Sequence, residues 1–585
     1  MARTVADQLI SQLQQVGVKR IYGIVGDSLN PIVDAVRRSG GSTEGGIDWV
    51  HVRHEEAAAF AAAGEAQLTG DLAVCAGSCG PGNLHLINGL YDAHRTGAPV
   101  LAIASHIPSA QIGTEYFQET HPDRLFVECS NYAELVSTAE QAPRVVNSAI
   151  RHALSLGGVA VVTMPGDIAE EDAVGGVPTF VQPRRATLVP NVADVERLAN
   201  AVNQAHRVAI FAGAGARDAH DELVTFADLV AAPVGHTLRG KDFVQYDNPF
   251  DVGMTGLLGY GAAHDGIHDA DLLILLGTDF PYNQFLPNER DVRIAQVDAK
   301  AEHLGRRANV DFPVHGDVRA TLALLSERVQ RKSDRSFLER TLRRHQKLIN
   351  GVLGAYTKNV EKTVPIHPEY AAALLDDLAS EDAIFTADTG MCNVWTARYI
   401  NPNGSRRLIG SFLHGSMANA LPHAIGAQLA YPGRQVISVC GDGGLAMLLG
   451  ELVTVAAYEL PVKIIVFNNS TLGMVKLEML VDGLPDFGVD VSPVNYAALA
   501  ASLGIHSKRV EKPGEISGAF LDAFQYSGPA LVDLVTDPLA LSVPPTITGE
   551  QLRGFALAMS KMVMNGGAGE AVKLAKSNLR NIPRP

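Results

Sequence analysis

The segment Gly441-Asp442-Gly443-Gly444, followed one helix and one strand later by Asn468-Asn469, constrains the fold more than any other part of the chain. Residues 435–440 (QVISVC) are a short, β-branched, apolar run. Residues 445–460 are rich in Leu, Ala, Met and Glu, a composition that predicts a helix. Residues 461–467 (PVKIIVF) form a second apolar strand that begins with Pro461 and runs into the paired asparagines. Strands joined by a crossover helix have to be parallel, so Asp442 and Asn469 leave the same carboxyl edge of one sheet. Two oxygen ligands therefore meet at one spot.

What fits there is a hard cation holding a phosphate. Mg²⁺ takes few carboxylates and completes its octahedral shell with phosphate, carbonyl and water oxygens. The Asp442 carboxylate, the Asn469 amide and the backbone carbonyl of Thr471 meet that demand. Gly443 and Gly444 let backbone N–H groups approach an anion. A GDG triplet alone reads as a capped strand-to-helix turn; the asparagine pair after the next strand turns the reading toward a metal–phosphate site.

At 585 residues the chain is long enough for three or more domains, each with its own core. A hydrophobic content of 46 % and a charged content of 19 % indicate a compact globular protein, and the net charge of −15 argues against nucleic acid as a partner. The cysteines (Cys75, Cys79, Cys129, Cys392, Cys440) form no CxxC pair and no zinc spacing, which points to buried thiols in a reducing compartment. No signal peptide is visible and no apolar run approaches about 18 residues, so a cytosolic body is expected.

Three α/β blocks, each expected to be a doubly wound parallel sheet, can be traced at residues 1–182, 190–335 and 360–540. A Pro and Gly cluster around 175–190 separates the first two, and an Arg- and Lys-rich helical connector over 331–350 precedes the third. In the middle block the strand VAIFAGAGA ends in Gly213 and Gly215, by itself a weak nucleotide signal. Further segments at carboxyl edges are Thr278-Asp279-Phe280-Pro281 after LLILLG and Asp298 after RIAQV, where an acidic side chain is placed to meet a ribose.

The GDG…NN pattern resembles the diphosphate motif of the thiamine diphosphate (ThDP) enzymes. That family also needs a glutamate, on another domain, to hydrogen-bond the cofactor's aminopyrimidine, and the match falls on Glu55 of RHEEAAAFAA. Without the resemblance this segment is only a charged helix start. The segments CAGSCGPGNLHLINGLYDAHR, YFQETHP, GMTGLLG, LGTDFPY and HGSMANALPHAIGAQ extend the likeness to the quinone-reducing, membrane-associated pyruvate oxidases.

That resemblance implies ThDP, Mg²⁺ and FAD as cofactors and oxidative decarboxylation of pyruvate to acetate and CO₂, with electrons passed through the flavin to a membrane quinone. It implies ThDP contacts at Glu55, Gly415, Ser416, Met417, Asp442, Gly443, Gly444, Asn469, Thr471, Met474 and Val475, with Asp442, Asn469 and Thr471 on the metal. Gly415 would offer its carbonyl to the cofactor's 4′-amino group and Met417 would wedge beneath the thiazolium. The implied substrate pocket comprises His85, Phe117, Gln118, Val475 and Glu478. The implied flavin contacts are Thr255, Gly256, Leu257, Leu258, Thr278, Asp279, Phe280, Pro281, Tyr282 and Asp298. A homotetramer with each active site shared between two subunits is implied as well.

One position departs from the pattern. Pyruvate oxidases commonly carry an aromatic residue after the glycine where this chain has Gly473-Met474. Acetolactate synthases often show Met and Val at that point, as in Met474-Val475, but a tryptophan where this chain has Glu478. An acetolactate synthase type of carboligase is the alternative.

Residues 549–585 are expected to form a membrane-docking tail. Leu552, Phe555, Ala556, Met559 and Val563 fall on one helix face, and Ala571, Val572, Ala575 and Leu579 continue the pattern beyond Gly566-Gly567. The tail carries six basic residues (Arg553, Lys561, Lys573, Lys576, Arg580, Arg584) and two acidic ones (Glu550, Glu570). A basic amphipathic segment on an acidic body suits an anionic lipid surface. The expected location is cytoplasmic, reversibly associated with the inner face of the cell membrane.

Overall fold

The computed structural model describes residues 3–183, 186–288, 291–541, 557, 568–578 and 580. They build three α/β sheets. The first contains β1 (Arg20–Gly23), β2 (Asp48–His51), β3 (Ala73–Gly77), β4 (Val100–His106), β5 (Tyr132–Leu135) and β6 (Val159–Pro165). The second contains β7 (Val208–Ala212), β8 (Val234–His236), β9 (Asp251–Met254), β10 (Tyr260–Gly261), β11 (Leu272–Leu276), β12 (Arg293–Asp298) and β13 (Phe312–His315). The third contains β14 (Ile384–Ala387), β15 (Arg407–Gly410), β16 (Val436–Gly441), β17 (Lys463–Asn468), β18 (His506–Val510) and β19 (Ala530–Val535).

The outer two sheets share one topology. Their orders, β2-β1-β3-β4-β6-β5 and β15-β14-β16-β17-β19-β18, are the same permutation, and every pair in them is parallel. The middle order, β10-β9-β8-β7-β11-β12-β13, is parallel except for β10, which pairs antiparallel with β9. That edge hairpin departs from an all-parallel expectation. Gly253, at φ +90°, allows it: a Cβ there would come within 2.5 Å of the Tyr260 carbonyl.

Central strands are buried on both faces, which is why they read as continuous apolar runs. In the first sheet Val74, Ala76, Leu101, Ile103, Ala160 and Val162 enter one core, while Cys75, Val100, Ala102, Val159 and Val161 enter another. The latter core continues into the third sheet through Val436, Cys440, Ile464 and Val466. One apolar body therefore joins the first and third domains. Its seam is the helix Glu55–Thr69 packed on the helix Ala420–Ala430, which follow the second strand of their respective sheets. Alanines at 57–59 and 61–63 let the two helices approach closely around Phe60, whose ring meets His423 edge to face, and a Cβ on Gly426 would sit 2.0 Å from the Ala61 carbonyl. A buried His423–Asp92 contact of 3.2 Å crosses the same seam.

The helix expected over 445–460 is two helices, Asp442–Met447 and Glu451–Ala457. Leu448 leaves helical geometry and Gly450, a poor helix former, lies in the break. In the tail, Leu552, Phe555, Ala556, Met559, Val563 and Leu579 lie outside the described residues. The described helix Ala568–Asn578 packs on the body: Leu574 is buried against Leu480 and Leu541, and Val572 points outward. Asn578 accepts the Leu541 N–H at 2.9 Å and donates to the Leu539 carbonyl at 2.8 Å. Among the described residues no helix is long and apolar enough to cross a membrane.

Candidate active site

Each sheet reverses its strand order beside its first strand, and ligand crevices in such sheets open at a reversal of this kind, beyond the carboxyl ends of the strands. In the third sheet the reversal lies between β14 and β16, whose ends deliver Asp388 and Asp442. Asp442 is buried and accepts the Ser470 N–H at 2.7 Å. Asn469 accepts the Thr471 N–H at 3.1 Å, so Asp442, Asn469 and Thr471 come together around one tight turn at Ser470. The Thr471 carbonyl accepts the Gly473 N–H at 2.9 Å and keeps a second lone pair. Burial pushes the Asp442 carboxyl up to about 6. A buried carboxylate beside an amide oxygen and a carbonyl is a donor set that fits Mg²⁺.

Several residues that the sequence reading missed hold this turn. Asp388 accepts hydrogen bonds from Asn419 Nδ2 (3.1 Å) and from the Thr389 N–H (3.0 Å) through Oδ1. Its Oδ2 is buried without a partner among the described residues, and a Cβ on Gly444 would come within 1.9 Å of it. Burial pushes this carboxyl up to about 7. The orphaned oxygen beside the glycines, and the open space at Gly390 and Gly415, fit a bound polar group. Asp533 binds Asn468 Nδ2 at 2.9 Å and the Tyr496 N–H at 3.0 Å. A strand ending in Asp-Thr-Gly was the available signal for Asp388; Asp533 and Tyr496 carried none.

Loop 411–419 completes this side. Gly415 has φ +76° and donates its N–H to Ser411. Ser416 accepts a hydrogen bond from Asn88 at 2.9 Å, and Asn88 also donates to Glu56 at 2.6 Å. Met417 lies against Gly443: a Cβ there would be 3.5 Å from the methionine methyl group. The predicted Met417 and Gly443 are thus neighbours.

In the first sheet the reversal lies between β1 and β3, and the Cys79-Gly80-Pro81-Gly82 turn follows β3. Glu55, only 7 % exposed, opens its helix after the cap His54 and lies 2.9 Å from His85 Nδ1. The His54 ring stacks on His85 at 4.3 Å. Gly82 is required by closeness: a Cβ there would be 3.0 Å from the Glu55 carboxylate. Gln118 reaches Cys79 Sγ at 3.5 Å, which gathers Glu55, His85 and Gln118 around one turn. Phe117 is 77 % exposed, and Val475 and Glu478 also lie at the surface. Among the described residues no hydrogen bond joins the Glu55 group to the Asp442 group.

In the middle sheet the reversal lies between β7 and β11, the ends of which carry Gly213 and Thr278. Thr255, Thr278, Phe280 and Asp298 are buried, whereas Leu257 and Tyr282 are partly exposed. Gly256, at φ +108°, sits where a Cβ would touch the Phe280 ring at 3.0 Å. The turn Gly256-Leu257-Leu258-Gly259 is held from the third domain by Arg398, which donates to the Gly259 carbonyl at 2.9 Å. Asp279 is engaged by Arg306 and Arg307; burial raises its carboxyl, and the two guanidinium groups more than offset that. Asp298 accepts the Lys300 N–H at 2.8 Å and faces His303 at 3.2 Å. Pro281 leads into Tyr282, whose phenol is raised by burial and then by the charge of Glu478. Leu258 of the middle-domain segment and Met474 of the helix Gly473–Val481 pack against the same third-domain core.

Three segments match the domains of one family: residues 3–125 the N-terminal TPP-binding domain of thiamine pyrophosphate enzymes, 195–325 their central domain, and 388–534 their C-terminal TPP-binding domain. The chain is 37 % identical over 584 residues to the putative thiamine pyrophosphate-containing protein YdaP of Bacillus subtilis, with 99 % of each chain covered. It is 31 % identical over 538 residues to the pyruvate oxidase of Lactiplantibacillus plantarum, covering 90 % of this chain and 87 % of the relative. It is 30 % identical over 561 residues to the acetolactate synthase of Arthrospira platensis, covering 91 % and 94 %. With each matched segment falling on one of the three sheets, and the Asp442–Asn469 turn and Glu55 set at the ends of the outer two, the chain belongs to the thiamine pyrophosphate enzymes.

Proposed function

We propose that this enzyme oxidises pyruvate, with water, to acetate and CO₂ and passes the two electrons through FAD to a quinone, giving the quinol. The observation that carries the reading is that Leu258, from the middle-sheet crevice, and Met474, on the helix beside the Asp442–Asn469 turn, pack against one core of the third domain. A flavin held at the first and ThDP at the second would be brought to one region of the protein. The likeness to a pyruvate oxidase over most of both chains supports the same substrate.

Bound ThDP supplies a nucleophilic carbon and an electron sink for decarboxylation, and bound FAD accepts two electrons. The residues bind, orient and move protons. Asp442, Asn469 and Thr471 hold Mg²⁺, and Gly443 and Gly444 receive the diphosphate. Glu55 moves the proton at the aminopyrimidine ring nitrogen, oriented by its hydrogen bond with His85. Gly415, Ser416, Met417 and Met474 orient the cofactor, while Gln118, Phe117, Val475 and Glu478 enclose pyruvate. Thr255–Leu258, Thr278–Tyr282 and Asp298 hold the flavin.

The exposure of Phe117, and of Phe487 at 87 %, supports a second copy covering the site, as in a homotetramer with shared active sites. The basic tail supports docking at an anionic inner membrane surface, where the quinone is reached. A second reading, carboligation of two pyruvates to acetolactate, is favoured by Met474-Val475 and by the acetolactate synthase relative. Product analysis separates them: acetate forming only when a soluble electron acceptor is supplied supports oxidation. Acetolactate forming without an acceptor overturns it.

A further inference from the structure

Between the first and third domains, one side chain grips the backbone that carries Glu55. Glu451 opens the helix Glu451–Ala457 and is 1 % exposed. Its carboxylate accepts the Arg53 N–H at 2.9 Å and the Thr454 hydroxyl at 2.7 Å, and the His54 N–H acts on it as well. At the far end of the same helix the Tyr458 hydroxyl accepts the His51 N–H at 2.8 Å and donates to the Trp49 carbonyl at 3.3 Å. Positions 451, 454 and 458 recur at the spacing of one helix face.

That face lies along an edge. Among the described residues β2 pairs only with β1, so its outward N–H and C=O groups need partners from elsewhere. Tyr458 satisfies Trp49 and His51, and Glu451 satisfies Arg53. The next two residues are His54, the helix cap, and Glu55, whose carboxylate is closely bounded by His85 and Gly82. A small displacement of the Arg53–His54 backbone is carried directly into the Glu55 carboxylate. A buried acid is also a costly way to join two domains, since an apolar side chain would fill the same space without desolvating a charge.

We propose that Glu451 is a positioning residue for Glu55: its carboxylate, delivered by the third domain, fixes the Arg53–His54 turn and with it the geometry of proton transfer. The inference rests on the role of Glu55 given above. The rival account is that Glu451 only holds the two domains together.

The test uses Glu451→Ala, Glu451→Gln, Glu451→Asp and Tyr458→Phe. Gln keeps an acceptor for Arg53 and a partner for Thr454; Asp keeps the charge but draws the carboxylate back, and stands in for Ala if that variant does not fold. Backbone amide exchange is read in the cofactor-free protein, and exchange of the ThDP C2 proton in the holoenzyme. In Ala and in Asp the Arg53 and His54 amides should exchange faster, and C2 exchange should slow by about 10- to 100-fold. ThDP affinity should stay within about threefold, and Gln should match wild type on both measures. Tyr458→Phe should lose protection at His51 yet keep C2 exchange.

The proposal is overturned if Ala or Asp deprotects Arg53 while C2 exchange holds its wild-type rate. It is equally overturned if Gln falls as far as Ala, or if Ala and Asp lose ThDP binding in step with C2 exchange. Glu55→Gln is the reference: wild-type C2 exchange in that variant removes the role assigned to Glu55, and the positioning role with it, whatever the amides show. C2 exchange needs no substrate, so the substrate assignment is tested separately.

Discussion

Tyr496 ties the two ends of the metal turn together: its buried hydroxyl donates to the backbone carbonyl of Asp442 at 2.8 Å, while its own N–H is held by Asp533. Asp533 in turn binds Asn468, the residue before the proposed ligand Asn469. Tyr496 and Asp533 together thus link the end of β16 to the end of β17.

Tyr496→Phe keeps the ring and removes the hydroxyl that donates to the Asp442 carbonyl. A lost hydrogen bond of this kind costs about 0.5–1.5 kcal/mol, and loss of an outer partner of a metal ligand typically weakens binding by about 10- to 100-fold. Mg²⁺ titration at fixed ThDP should show that weakening. Unchanged Mg²⁺ affinity would mean that Tyr496 supports the fold and not the metal.

Asp442→Ala should weaken Mg²⁺ and ThDP together, because each needs the other's charge to remain in the site. The proposed flavin contacts lie in the middle domain, so FAD should stay bound. ThDP titration alongside the flavin absorbance checks both; wild-type ThDP affinity contradicts the ligand assignment.

Glu55→Gln should leave the fold intact and reduce turnover by about 10² to 10⁴, the scale of a positioned proton-transfer group. Glu56→Gln should be mild, since glutamine still accepts the hydrogen bond from Asn88. Steady-state turnover of both variants decides the matter: equal losses would assign the effect to the helix start and not to Glu55.

The residues legible in the sequence were those whose chemistry is local. Asp442 and Asn469 are joined by one βαβ unit, so spacing alone brought them to one edge, and the apolar runs of β7, β11, β16 and β17 announced buried strands. Asp388, Tyr496, Asp533 and Glu451 act through contacts between distant segments, which no periodicity encodes. Edge strand β2 (DWVH) was missed because it is short and half polar, and its outer backbone groups are satisfied by Tyr458 from another domain. The helix over 445–460 was read as continuous because composition does not show that Leu448 must turn to bring Glu451 against Arg53. The three-sheet architecture was legible; the identical order of the outer two was not.

A pH prediction follows from His236 and Asp251, buried 3.5 Å apart in the middle domain. Burial and then Lys241 hold the imidazole down to about 3, from 6.5, and burial pushes the carboxyl up to about 7, from 3.8. Between about pH 4 and 6.5 the unfolded chain binds one more proton at His236 and one fewer at Asp251. Their slopes cancel. Asp251→Asn leaves His236 alone, whose contribution is present above 6.5 and lost as pH falls toward 3. Relative to wild type, the variant's stability should therefore rise with pH across that window, by about 1.4 kcal/mol per unit. Melting temperatures at pH 5 and 6 test the sign; parallel profiles contradict it.

The last prediction concerns the tail, proposed as the membrane anchor. Leu574 covers Leu480 on the helix that carries Val475 and Glu478, so the docked tail and the site share a surface. Each Lys or Arg near an anionic surface adds about 1 kcal/mol and each well-buried Leu, Phe or Met about 1.5 to 3. Micromolar binding, about 8 kcal/mol, is within reach of such a segment. A variant ending at Pro545 should oxidise pyruvate with a soluble acceptor, yet fail to bind anionic liposomes or to reduce a membrane quinone efficiently. Asn578→Ala removes the bonds to Leu539 and Leu541 that seat the tail, so it should bind liposomes more tightly, because less docking free energy opposes release. Undiminished liposome binding by the truncated chain rules the tail out as the anchor, and weaker binding by Asn578→Ala rules out competition between the body and the membrane for it.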